Sequence, residues 1–115
     1  MEQFALAEVQ RRRAASDSLY LEFLRVPTMS VGLYELGVGA EDPQQPHTED
    51  ELYYIVSGKA ILLVETSDMS VEAGSLAYVP ARVAHRFHTI TEALTVLVFF
   101  APAEYTNREP ADAIS

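Results

Sequence analysis

From about residue 19 onward the chain is a succession of short segments rich in Val, Leu, Ile, Tyr and Phe, cut by glycine and proline at intervals of roughly eight to twelve residues. No helical period interrupts them, and parallel strands need crossover connections of about a dozen residues, usually helical, so parallel βαβ units are excluded. The remaining class is an all-β sandwich or barrel of antiparallel neighbours. Strands are expected near residues 19–26, 31–37, 43–47, 51–57, 59–65, 69–72, 76–79, 84–90 and 94–101. Ser57-Gly58 and Ser67-Asp68 read as turns between such neighbours. Ahead of them, residues 5–14 predict a short helix, with Arg11, Arg12 and Arg13 near its C-terminal end, where cations complement the helix dipole.

A length of 115 residues with 49% hydrophobic content suits one domain with one core. The expected division is a helical arm over 1–18, a barrel over 19–101 and a C-terminal tail over 102–115, rich in proline and charge and read as a peripheral arm. No apolar run is long enough to span a bilayer, and the first residues do not follow the order of a signal peptide, so a soluble, cytoplasmic protein is expected. Cysteine is absent, which removes disulfides and thiolate chemistry and leaves His, carboxylate and amide oxygen as the available metal ligands. Seventeen acids against eight basic residues give a net charge of -9, which repels phosphate backbones and anionic lipid; neither nucleic acid nor membrane is an expected partner.

The chemistry concentrates in two stretches. In PQQPHTEDELYYIVSGKA, pairing of 43–47 with 51–57 would make Thr48-Glu49-Asp50 a hairpin loop with His47 opposite Glu51. By the two-residue period Gln45 shares the face of His47, while Tyr53 and Ile55 share that of Glu51. An imidazole, a carboxylate and an amide then converge as a partial shell for a divalent metal, although a polar hairpin end with a surface ion pair would use the same residues. In GSLAYVPARVAHRF, His85 opens a strand after the Pro80 turn and would complete a two-histidine, one-carboxylate set. His88, three residues on, points to the opposite face by parity.

These stretches resemble the two motifs of the cupin superfamily. The first, G-x5-H-x-H-x3,4-E-x6-G, is matched by Gly39, Gln45, His47, Glu51 and Gly58, with glutamine at one histidine position. The second, G-x5-P-x-G-x2-H-x3-N, is matched by Gly74, Pro80, Arg82, His85 and Thr89, with arginine replacing the glycine and threonine the asparagine. The resemblance implies an antiparallel jelly-roll-like barrel holding one divalent metal ion (Fe, Mn, Zn or Ni) inside one end, with Gln45, His47, Glu51 and His85 as its ligands. Gln45 would be the weakest of these, since a neutral amide oxygen binds such ions less well than imidazole.

Around that centre, Tyr53, Ile55 and Phe87 are candidates to face a substrate, although together with Tyr78 they also suit the core. Arg82 at the rim could grip a carboxylate or phosphate, or simply answer the acidic run 49–51. The function expected is a metal-dependent enzyme of dioxygenase or isomerase type acting on a small organic or sugar-like molecule; a non-catalytic ligand-binding or sensor cupin is the alternative. Strands apolar on both faces, at residues 60–64 and 94–100, exceed what a short helix can cover. A homodimer with the outward members of Val96/Leu97 and Leu62/Leu63 near its contact is therefore expected.

Overall fold

The structure, a computed structural model, describes residues 1–108. Helix α1 (Leu6–Ala14) is followed by β1 (Tyr20–Val26), β2 (Met29–Leu36), β3 (Asp50–Val64), β4 (Ser67–Glu72), β5 (Leu76–Val79) and β6 (His85–Ala101). All strand pairs are antiparallel, in the order β1-β2-β6-β3-β4, with β5 also paired to β3. This is the antiparallel jelly-roll-like barrel with a short N-terminal helix that the sequence resemblance implies.

Six strands replace the nine expected, because two pairs of segments are each one long, bent strand. Ser57-Gly58 is not a turn: the register between β3 and β6 slips repeatedly between Ile55 and Ile61, with Gly58 at φ 103 in the middle. A β-carbon at Gly58 would lie 2.3 Å from the carbonyl oxygen of Ala93, so only glycine lets the two backbones cross this closely. The bend lets one half of β3 pair with β5 and the other with β4. The turn assigned to Ser67-Asp68 falls instead on residues 65–66, with Glu65 at φ 56 and Ser67 already in β4. The strand expected over 43–47 does not form either. Residues 41–47 are irregular, since Pro43 and Pro46 supply no ladder donors and the Gln44 N–H is taken by the Asp42 side chain.

Inward residues of β2, β3, β5 and β6 build one core: Tyr34, Leu36, Tyr53, Ile55, Leu62, Val79, Phe87, Leu94, Val96, Val98 and Phe100 are all buried. The helix packs on β1 and β2 through Val9 and is fastened by Arg13, whose Nε donates to Glu35 Oε1 at 2.7 Å. Arg13 is thus a clamp between helix and sheet. No helix among the described residues is long and apolar enough to cross a membrane.

Candidate metal centre

Glu51 is the second residue of β3, and strand alternation turns Glu51, Tyr53 and Ile55 inward together. His85, the first residue of β6, shares its inward parity with Phe87. His47 reaches the same place from the irregular segment before β3 rather than across a hairpin. That segment is tied to the turn ahead of β6 by the Arg82 N–H, which donates to the His47 carbonyl at 2.6 Å. Arg82 holds φ 65, so the turn keeps the left-handed shape that glycine adopts without strain.

The three side chains converge on one point. His47 Nδ1 lies 3.7 Å and His85 Nε2 lies 3.0 Å from the same oxygen, Glu51 Oε1, and one ligand-type atom from each residue falls within 4.8 Å of the other two. His85 Nδ1 sits 2.8 Å from the Val83 carbonyl, an acceptor only, so Nδ1 carries a proton and Nε2 faces Glu51. His47 Nδ1, both Glu51 oxygens and His85 Nε2 are buried without an aligned hydrogen-bond partner. Buried polar atoms are rarely left so. Two imidazole nitrogens and a carboxylate aimed at one another are a donor set with room for a cation, and their chemistry fits a first-row divalent ion.

Beside this cluster opens a pocket of ≈ 350 Å³ lined by Tyr20, Tyr34, Pro43, Gln44, Gln45, His47, Glu51, Val98, Phe100, Glu104 and Tyr105. Its wall is mostly aromatic and aliphatic, and among the described residues no lysine or arginine lines it.

Residues 32–100 match the family model described as "Cupin domain". The chain belongs to the cupin family. An uncharacterized protein of Streptomyces coelicolor is 52% identical to it over 104 residues, covering 90% of this chain and 99% of that one. An RmlC-like cupin from Shewanella frigidimarina superposes with a TM-score of 0.66 at 20% identity, over 73% of this chain and 75% of its own. A salicylate 1,2-dioxygenase from Pseudoaminobacter salicylatoxidans, in complex with gentisate, superposes with a TM-score of 0.66 at 15% identity, over 71% of this chain and 24% of its own. At these identities the two solved structures speak to the fold.

Within this cupin the remaining candidates separate. Gln45 is exposed at the pocket mouth, while its neighbour Gln44 is tied down, donating to Asp42 Oδ2 and accepting from the Tyr53 hydroxyl, both at 2.8 Å. Tyr53, Ile55 and Phe87 are fully buried in the core and do not line the pocket; Tyr53 bears on it through Gln44 and through its contact with the His85 ring. Tyr78, also read as core, lies instead on the outer face, 60% exposed, because β5 alternates in the opposite sense. Arg82 is exposed and donates toward the carbonyl of Asn107 at 3.5 Å; it does not line the pocket. His88 faces away, as parity requires, with Nε2 2.8 Å from Asp68.

The pocket of this cupin also contains residues that pattern reasoning missed. Tyr20 enters because its ring lies across Gly32, two residues along β2 from its pairing partner Tyr34: a β-carbon at Gly32 would lie 2.1 Å from the Tyr20 ring. Burial, then the hydrogen bond to Asp42, pushes the Tyr34 hydroxyl well above its ordinary pKa, so it stays a neutral donor. Burial lowers the pKa of the His85 imidazole, but the Glu51 carboxylate outweighs burial and leaves it above its usual value. Residues 102–108, expected as a peripheral arm, fold over the barrel mouth and place Tyr105 and Glu104 in the pocket wall. The rest of that tail, 109–115, lies outside the described residues.

Proposed function

We propose that this chain is a mononuclear-metal cupin enzyme, with the ion held by His47, Glu51 and His85 and a small organic substrate seated in the adjoining pocket. The supporting observation is the convergence of four buried ligand-type atoms on those three residues, none with an aligned hydrogen bond. A buried carboxylate beside two imidazoles is costly without a neutralising cation. Bound there, a divalent ion would supply Lewis-acid or redox chemistry to a substrate oxygen.

The chain's own residues set what can enter. Phe100, Val98 and the tyrosine rings offer apolar and stacking surface, while Gln45 and the Tyr20 hydroxyl offer hydrogen bonds to hydroxyl or carbonyl groups. With no lysine or arginine among the described residues of the wall and Glu51 and Glu104 facing in, a polyanionic substrate is disfavoured. A small, oxygenated, neutral or singly charged molecule fits best. The gentisate-bound dioxygenase is consistent with dioxygenase chemistry, and an isomerase acting on a hydroxy-carbonyl compound would use the same surface.

Metal analysis of untagged protein purified without chelators tests the reading. Stoichiometric first-row metal is expected, lost on His47→Ala or His85→Ala and largely kept on Gln45→Ala, while Gln45→His binds more tightly. Metal-free protein that also refuses added Fe, Mn, Zn and Ni would overturn it in favour of a metal-independent ligand-binding barrel.

A further inference from the structure

The nitrogen of His47 that faces away from the cluster has its own partner. His47 Nε2 lies 2.9 Å from Glu104 Oε2, and the two side chains are only 10% and 14% exposed. Glu104 arrives from the end of the described chain, 57 residues beyond His47, and is held by a dedicated set of contacts. Its N–H donates to the buried Ser30 hydroxyl at 2.9 Å, and its carbonyl accepts from Arg25 Nη2 at 2.8 Å. Directly after it the segment is latched by Glu49, a fully buried carboxylate that accepts from the N–H groups of Tyr105 and of Asn107, the latter at 2.7 Å, and from the Thr48 hydroxyl. The Tyr105 ring stacks on the His47 imidazole, with centroids 5.6 Å apart and planes 26° apart. A buried acid spent on two backbone amides of a seven-residue segment shows that the segment's position is specified by the fold.

Resting on the metal-site reading above, we propose that Glu104 is a positioning residue for His47. Its carboxylate accepts a hydrogen bond from the His47 Nε2–H, which fixes the tautomer and ring orientation that present Nδ1 to Glu51 and His85. Metal-ligating histidines generally donate their second N–H to such a partner, and loss of the partner typically lowers metal affinity 10- to 100-fold. Here the partner comes from a segment outside both cupin motifs. Tyr105 limits the ring's rotation from one side, and Glu49 holds Glu104 in reach.

The test is cobalt(II) binding by chelator competition to the full chain, read with the visible absorption of the bound ion, together with ring-nitrogen chemical shifts of His47 in the metal-free protein. Glu104→Ala is expected to weaken cobalt binding about 10- to 100-fold and to alter the absorption bands. Glu104→Gln, whose amide oxygen can still accept, should remain near wild type. The His47 shifts should report an Nε2–H imidazole in wild type and a mixture of tautomers in Glu104→Ala. Unchanged affinity, bands and shifts in Glu104→Ala would overturn the proposal, as would a Glu104→Gln variant as weak as Glu104→Ala, which would make the carboxylate a ligand itself. If wild type takes up no cobalt, the metal reading fails, and the tautomer comparison alone then decides the role of Glu104.

Discussion

Nε2 of His85 and Oε1 of Glu51 lie 3.0 Å apart, each on a side chain only 1% exposed. Because the other nitrogen of His85 gives its proton to the Val83 carbonyl, a neutral His85 turns a lone pair toward a carboxylate. Only a cation between them, a proton or a metal ion, makes this arrangement favourable.

The competition between those two cations gives a pH signature. The His85 pKa is raised in the fold above its unfolded value of about 6.5. In metal-free protein the stabilising contribution is therefore complete below about pH 6.5 and is lost as pH rises through the higher folded value. In metal-loaded protein the trend reverses, since the imidazole must shed its proton to bind. Melting curves of chelator-treated and zinc-supplemented protein should diverge as pH rises through this window. Parallel curves would show that the pair does not take up the metal.

Asp42 is a second relationship of this kind, without a metal. Its Oδ1 accepts from the Tyr34 hydroxyl at 2.5 Å and from the Gln44 N–H at 3.3 Å, and its Oδ2 from the Gln44 amide and the Phe87 N–H, both at 2.8 Å. An asparagine has the same size but can accept on one side only. Asp42→Asn is expected to cost about 2–4 kcal/mol by leaving buried donors unmet, and to loosen the Tyr34 and Gln44 side of the pocket. Urea denaturation reads the loss; a change under about 0.5 kcal/mol, the range of ordinary surface substitutions, would show that the network is dispensable.

Gly58→Ala should be among the most damaging single changes. The added carbon meets the Ala93 carbonyl at 2.3 Å on a backbone held at φ +103, and a loss of about 3–4 kcal/mol follows from strain and clash together. Gly37→Ala, with nothing within 4 Å of its new carbon, serves as the control. Equal melting temperatures for the two would contradict a crossing point at Gly58.

The outer face of the sheet carries two apolar rows that continue the register of its strands. Tyr78, Leu52, Phe99 and Val31 form one, and Leu76, Tyr54, Leu97 and Leu33 the other. At the β2 end, next to the helix, Val31 and Leu33 are 6% and 0% exposed, whereas at the β5 end Tyr78 and Leu76 are 60% and 67% exposed. A self-complementary homodimer over the β5 end would cover the bare half. Light scattering is expected to return twice the 12.8 kDa chain mass, and Leu76→Asp to halve it. A wild-type mass of one chain would refute the dimer. This contact centres on β3 and β5, with Leu97 at its margin; of the other pair Leu62 is enclosed by the core, and the outward member Leu63 lies in the half of β3 that pairs with β4, away from this contact.

Much of this protein is set by local pattern. The two-residue period of β3 and β6 is enough to turn Glu51 inward with Tyr53 and Ile55, and His85 inward with Phe87, and to send His88 outward. Glycine and proline spacing with no helical period is enough for an antiparallel β domain, because strands of this length have no other way to bury their apolar faces. Whether a glycine ends a strand or bends it depends on what passes beside it. Gly58 reads as a turn until Ala93 is found against it, an approach across 35 positions of sequence. The same holds for the acids: Asp42, Glu49 and Glu104 are three among seventeen in the sequence, and only folding gives each its partners, at Phe87, Tyr105 and His47. Alternation decides which face of a strand a side chain takes, whereas hydrogen bonds between distant segments are decided by how the barrel closes, and it is closure that brings the end of the described chain onto His47.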